Sequence, residues 1–192
     1  MPYSRDKSAT AQFAPPRPSL VGLAPGLVKL ASYTPEWESI YQGEEIMLRT
    51  ALGNRALDIQ HIGSTSVPEI SAKPIIDIAI AVASDEDIDG CIAPLASVGY
   101  EYLGEFGLPG RHFFVKGNPR THHIHVVRTD SHHWRQWIYF RNYLRRYPDV
   151  AREYDNLKRS LAQQYAENRE AYLAGKAPFI TRVLELALQD DE

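Results

Sequence analysis

Residues 57–82 (LDIQHIGSTSVPEISAKPIIDIAIAV) constrain the fold more than any other stretch. Two runs of strand-forming residues, 57–62 and 74–82, flank a turn of small and hydroxylated residues: Gly63, Ser64, Thr65 and Ser66. The second run is apolar on both faces apart from Asp77, the pattern of a strand covered on each side. An unpaired carboxylate in such a strand costs several kcal/mol, so Asp77 requires a cation, a hydrogen bond, a metal ion or an open strand end. Gly63 permits a sharp turn and a close approach to a ligand, and the amides and hydroxyls of Ser64, Thr65 and Ser66 can donate to phosphate oxygens. A carboxylate beside phosphates is the setting in which Mg²⁺ binds, so the stretch points to nucleotidyl transfer.

Elsewhere the pattern is equally regular. Residues 28–33 read as a short strand, followed by a helix with Thr34 as N-cap and Pro35 at the first helical position, ended by Gly53. Ser84 caps a helix carrying Ile88, Ile92 and Leu95 on one face, and Gly99 opens a strand over 100–103. Four glycines or prolines in the seven residues 104–110 make a turn or flap, and strands 111–116 and 122–127 form a hairpin across Gly117-Asn118-Pro119-Arg120. Alternation along that last strand puts His123 and His125 on one face and His122 on the other. The His123/His125 face is suited to a metal or to phosphate; Zn²⁺ held by His123, His125 and Asp77 ranks below Mg²⁺, because no Cys-x-x-Cys or His-Glu-x-x-His spacing accompanies it. A helix from Asp130-Ser131 to Tyr147 carries an apolar stripe of Trp134, Trp137, Phe140, Leu144 and Tyr147, with Arg135, Arg141, Arg145 and Arg146 off it. Pro148 starts the next helix, and a last one from Arg169 has a weak point at Gly175 and Pro178. The reading totals about six strands and five or six helices.

At 192 residues and 44% apolar content, one domain over 27–189 is expected, behind a Pro-rich arm over 1–26. No apolar run approaches the roughly 20 residues that span a bilayer, and Cys91 is the single cysteine, so a cytoplasmic protein without membrane association is expected. Charge is segregated: −7 over residues 1–110, +8 over 111–182 and −4 over the last ten. The Arg-rich middle block suits phosphate or carboxylate contacts, while a net charge of −3 and the absence of a nucleic-acid motif argue against duplex DNA.

Gly63-Ser64, a spacer and then Asp77 in a hydrophobic strand resemble the signature of the nucleotidyltransferase superfamily, to which DNA polymerase beta belongs. More closely, HIGSTSVPEISAKPIIDI resembles the GrpB family, and the resemblance continues through GEFGLPGRHFFVKG, HIHVV and the helical segments at 140–162 and 169–187, about 28–188 in all. It implies an α/β (α+β) fold, a nucleotidyltransferase-like mixed sheet flanked by helices with a C-terminal helical extension. It implies too that the Gly63-Ser64 loop holds a triphosphate and that Asp77 is the first metal-binding carboxylate. The usual second carboxylate, two residues on, is here Ala79, and the third falls where the chain offers His123 and His125. Glu105 or Glu101 would then supply a further ligand, Glu105 and His125 joining Asp77 as catalytic residues.

Three functions follow from this reading. The first is a Mg²⁺-dependent nucleotidyltransferase acting on a small molecule, with Gly63, Ser64, Thr65, Ser66, Lys73, Arg111 and His123 holding phosphate. A second is a noncatalytic nucleotide or coenzyme sensor, a phosphorylated coenzyme being the ligand implied by GrpB-like domains fused to dephospho-CoA kinase. The third is a protein-interaction module on the same fold. Lys73 is read either as a phosphate contact or as the neutralising partner of Asp77 or Glu69.

Overall fold

The computed structural model describes residues 19–190. Five strands, β1 (Asp58–Ile62), β2 (Ile76–Val82), β3 (Glu101–Tyr102), β4 (His112–Lys116) and β5 (His122–Arg128), form one sheet in the order β1-β2-β5-β4-β3. All neighbours are antiparallel except β2 and β5, which run parallel at the centre with Asp77 beside His123 and Ala79 beside His125. Five α-helices complete the described chain: α1 (Glu36–Leu52), α2 (Asp85–Ser97), α3 (His132–Arg146), α4 (Pro148–Gln164) and α5 (Arg169–Gln189).

The alternation of β2 assigns its two faces. Ile76, Ile78, Ile80 and Val82 join Ile59, Phe114, Ile124 and Val126 in the main core, against Trp37, Leu48 and Leu52 of α1 and Ile88 and Leu95 of α2. Ile78 and Ile80 on this face and Ala79 and Ala81 on the other are all fully buried, so the strand is covered on both sides as its composition predicted. The opposite face carries Asp77, His123 and His125 and lies beneath the C-terminal helices, whose own cluster joins Leu144, Ala151, Tyr154, Phe179 and Val183 to Val67 and Ile70. The mixed α+β architecture and the C-terminal helical layer match the expected fold class.

Several details differ from the sequence reading. Residues 28–33 form no strand: their one ladder contact is the isolated bridge between Ala31 and Ala72, because the segment opposite is itself irregular. Thr34 contributes its carbonyl, accepting from Trp37 N at 3.3 Å, and no side-chain cap closes the start of α1. The weak point anticipated at Gly175 and Pro178 is absent, since α5 is continuous through both. Gly175 instead provides close approach: a β-carbon there would stand 2.5 Å from Cδ2 of Leu161 on α4. On α3, Trp134 and Trp137 are only half-buried while Arg141 is buried. Capping at Ser84 is as expected, its hydroxyl accepting from Asp87 N.

Residues 1–18 of the arm lie outside the described residues. From residue 19 the chain runs against the domain, with Gly22 N donating to Pro74 O at 2.7 Å and Leu23 bridging Arg120. Among the described residues no helix is long and apolar enough to cross a membrane.

Candidate functional site

Parallel pairing of β2 and β5 puts Asp77 and His123 side by side, and two residues along the same face stands His125. Both imidazoles converge on one carboxylate oxygen: His123 Nδ1 lies 3.1 Å and His125 Nε2 3.6 Å from Oδ1 of Asp77. Phe113 on β4 packs against both rings, with centroids 5.0 and 5.2 Å away, and Trp137 of α3 meets His125 from above at 5.0 Å. Burial pushes the Asp77 pKa up, but hydrogen bonds from His123 and His125 outweigh it and hold the carboxyl well below the usual range. Burial likewise lowers His125, an effect that Asp77 offsets only in part, so at neutral pH this imidazole is uncharged. Its far nitrogen Nδ1, like Nε2 of His123, is buried without a hydrogen-bond partner among the described residues.

Gly63 turns from β1 into the hydroxyl loop at φ +70°, and a β-carbon on it would stand 2.7 Å from Oδ2 of Asp77. Only glycine combines that backbone with that proximity. Residues Ser64–Ser66 then form one 3-10 turn. Ser64 and Thr65 line a cavity beside Asp77, whereas Ser66 turns its hydroxyl back to donate to Gly63 O at 2.6 Å. Ser66 thus braces the turn rather than facing a phosphate. Two arginines of α3 hold the same loop from behind: Arg141 Nη1 donates to Gln60 Oε1 and His61 O, both at 2.8 Å, and Arg145 Nε donates to Ser66 O at 2.8 Å. His61 bridges Glu38 at 3.1 Å and the Thr65 hydroxyl at 3.0 Å, fixing the loop on its other side.

The cavity has a volume of about 450 Å³. Its polar lining includes Asp77, His123 and His125 together with five cationic side chains: Lys73, Arg111, Arg120, Arg169 and Lys176. Asp77 is the lone carboxylate among the lining residues. Lys73 does not neutralise Asp77 or Glu69 by a direct ion pair; its ammonium lies over the Tyr172 ring, 5.0 Å from the centroid, and Lys176 approaches the same ring at 4.6 Å. Burial and the nearby Arg169 lower Lys73 to about 8, and burial and Lys73 lower Lys176 to about 8. The segment leading to Lys73 is anchored on α4, where Asp155 accepts from Ser71 N at 2.7 Å and Lys158 donates to Ser71 O. Arg111 donates to the carbonyls of Glu105 and Phe106 at 2.8 and 2.9 Å and leaves Nε buried without a hydrogen-bond partner among the described residues.

Sequence reasoning therefore located Gly63, Ser64, Thr65, Lys73, Asp77, Arg111, His123 and His125, which the fold brings to one cavity. Glu105 is not brought there: it is exposed and accepts from Gly110 N at 2.6 Å within its own loop. Glu101 is exposed on the edge strand β3. Arg120, Arg169, Tyr172 and Lys176 were missed. The signal lay in the spacing of Arg169, Tyr172 and Lys176, at i, i+3 and i+7, which puts a basic face with an aromatic between its charges on one side of a helix. No group of three or more His, Cys, Asp and Glu side chains among the described residues is arranged to hold a metal ion, so the zinc set of His123, His125 and Asp77 is not formed. For magnesium the donor set fits one ion held by a single Asp77 oxygen, ligand phosphates and water, the usual mode for that metal. It does not fit two, because position 79 is Ala and both Glu105 and Glu101 point elsewhere.

A mixed sheet with a glycine-serine turn and a carboxylate on the adjacent strand is the architecture of a nucleotidyltransferase-like domain. A solved structure of Cid1 poly(U) polymerase with magnesium and 3'-dATP bound superposes with a TM-score of 0.51 at 14% identity, covering 75% of this chain and 49% of that one. This likeness concerns the fold. The chain belongs to the GrpB family, whose model matches residues 27–186. The crystal structure of the conserved protein GrpB from Enterococcus faecalis superposes with a TM-score of 0.78 at 38% identity, covering 84% of this chain and 98% of that one. Among sequences, a UPF0157 protein of Pseudomonas aeruginosa is 41% identical over 159 residues, 80% of this chain and 65% of that protein. The glutamate-rich protein GrpB of Alkalihalophilus pseudofirmus is 33% identical over 86% of this chain and 98% of that protein. A dephospho-CoA kinase of Mycolicibacterium paratuberculosis is 30% identical over 79% of this chain, which spans 44% of that longer protein.

Proposed function

We propose that this chain binds a nucleotide or phosphorylated coenzyme in the cavity between β2, β5 and α5 and transfers a nucleoside monophosphate from an NTP to a small acceptor. The observation that carries the reading is the charge of the lining: five cationic side chains and one carboxylate face a single space of about 450 Å³, a size that takes a small-molecule ligand. Four of the five, Lys73, Arg111, Arg120 and Lys176, are half-buried and Arg169 is exposed, so a surplus of positive charge around one partly desolvated space favours an anionic ligand. Arg111, with Nε and a planar fork, suits an equatorial phosphate oxygen, and the Gly63–Thr65 turn brings backbone amides close to another. Apolar side chains of Leu23, Leu27, Phe106 and Leu108 at the rim suit the base or the organic tail.

A bound magnesium ion would supply charge neutralisation at the transferring phosphorus, with Asp77 as its protein ligand. The chain's own residues do the rest. His123 and His125 orient the Asp77 carboxylate and keep it ionised, the Phe113 ring of the cavity wall packs against both imidazoles, and the neutral His125 ring has a free nitrogen able to accept an acceptor's proton. A second reading, binding without transfer, is favoured by Ala79 and by the engagement of Glu105 within its own loop, since a two-metal reaction needs more carboxylates than one. The similarity to a dephospho-CoA kinase supports testing coenzyme ligands in either case.

The experiment is thermal unfolding of the wild type and of Asp77→Asn against NTPs, NMPs, CoA and dephospho-CoA, with and without Mg²⁺, paired with a pyrophosphate-release assay over a panel of acceptors. A ligand at about 100 times its Kd adds roughly 2.7 kcal/mol. A shift with NTP and Mg²⁺ that Asp77→Asn abolishes, together with pyrophosphate release, supports transfer. A shift without release in every acceptor leaves the sensor reading, and no shift with any ligand removes both.

A further inference from the structure

Tyr172 is the centre of the cavity's densest charge. Lys73 comes from the loop before β2 and Lys176 from the turn of α5 that follows Tyr172, and both ammonium groups reach within 5.0 Å of the same ring centroid. Neither lysine has a salt bridge to any described carboxylate, and Lys176 is lowered by burial first and by the charge of Lys73 second. Repelling ammonium groups do not collect by default, and here each is held by independent structure. Ser71, two residues before Lys73, is pinned to Asp155 and Lys158 of α4, and Lys176 is set by Gly175, whose missing side chain lets α5 close on Leu161. Asp77 is the acid whose charge acts on both, and its Oδ1 is already approached by two histidines.

We propose that Lys73 and Lys176 form a paired-ammonium clamp, seated on Tyr172, that takes a dianionic phosphate of the ligand directly, without a bridging metal ion. The ligand class follows: a molecule ending in a phosphomonoester or a polyphosphate, whose terminal group carries two charges, rather than one bearing only internal phosphodiesters. Two ammonium groups match that charge, and Tyr172 offers them a face for weak cation–π support when the ligand is absent. Ala79 accords with this division of labour, because positive charge that the superfamily's second carboxylate would recruit with a metal is supplied here by side chains. The clamp rests on the phosphorylated-ligand reading of the cavity, and its test separates the two.

The test is calorimetric titration of pyrophosphate and of ATP into the full chain, in EDTA and separately in Mg²⁺, for the wild type, Lys73→Met, Lys176→Met and Asp77→Asn, with the melting temperature of each ligand-free variant recorded. The clamp predicts binding of pyrophosphate in EDTA, weakened at least tenfold by either lysine substitution and retained in Asp77→Asn. It further predicts that both lysine variants melt higher than the wild type when ligand-free, since one of two repelling charges is gone; a purely structural lysine would lower the melting point on removal. Binding of ATP that requires Mg²⁺ and is unchanged by either lysine substitution overturns the clamp and leaves the nucleotide site standing. Absence of binding by any phosphate ligand, with or without Mg²⁺, overturns both.

Discussion

Gly63 and Asp77 stand so close across the β1–β2 turn that a β-carbon on the glycine would fall 2.7 Å from Oδ2 and 3.1 Å from Cβ of the aspartate. The turn's positive φ of 70° adds backbone strain to any substitution. Gly63→Ala is therefore expected to cost about 1–3 kcal/mol and to displace the Asp77 carboxylate. Urea titration reads the first effect, and loss of the Mg²⁺-dependent part of any nucleotide-induced melting shift reads the second.

The Asp77 carboxyl is held below its ordinary range, so its protonation couples to unfolding. The unfolded carboxyl titrates near 3.9 by the model-peptide value. Stability contributed by its bonds to His123 and His125 is then fully present above about pH 4 and is lost as pH falls further. Urea midpoints measured from pH 7 to pH 3 should fall more steeply in the wild type than in Asp77→Asn, and equal slopes would count against the bonds.

Lys73 and Lys176 add a pH dependence of the same sign at the alkaline end, through relief of a cost rather than gain of a bond. Both titrate near 8 in the folded chain, facing Arg169, Asp77 and each other, against about 10.4 when unfolded. Between these values the unfolded chain binds more protons, so ligand-free stability contributed by this pair rises with pH from about 8 to about 10. Phosphate-ligand affinity should fall over the same interval as the ammonium groups discharge. Calorimetric titration of pyrophosphate at pH 7 and pH 9.5 tests this, and affinity that is flat or rising would contradict it.

Arg141 is buried and satisfies Gln60 Oε1 and His61 O directly before the hydroxyl turn. Arg141→Met is expected to cost about 2 kcal/mol, the usual value of hydrogen bonds to a charged donor, and to loosen residues 60–66. Amide hydrogen exchange confined to that turn, faster in the variant, is the specific reading; unchanged exchange there would assign Arg141 to packing alone.

The sheet was legible because β2 could not be anything else: an eight-residue apolar run with one carboxylate reads as a covered central strand, and the Gly63 turn reads as a loop against it. The hairpin of β4 and β5 was legible for a like reason, through its Gly-Asn-Pro turn and period-2 histidines. What failed was whatever depends on a remote partner. Val28 to Tyr33 reads as a short strand, yet its neighbour at Ala72 is an irregular loop that can offer one bridge. Arg141 lies off the apolar stripe of its helix and is buried nonetheless, because two carbonyl-type oxygens on β1 meet it there. Likewise Lys176 reads as a solvated charge until α5 is laid beside Lys73.

The cavity's walls come from distant parts of the chain: Leu23 to Leu27 on one side and Arg169 to Lys176 of α5 on another, with the sheet as floor. The sheet and its α1–α2 layer close through contacts that precede α3 in sequence, whereas the binding space exists only once α5 has docked. During synthesis the site would be the last part of the domain to mature, and an occupied site would staple the early and late segments together. A chain cut before Arg169 would lose the α5 wall of the cavity, and a ligand that binds there should slow proteolytic release of α5 more than cleavage anywhere else.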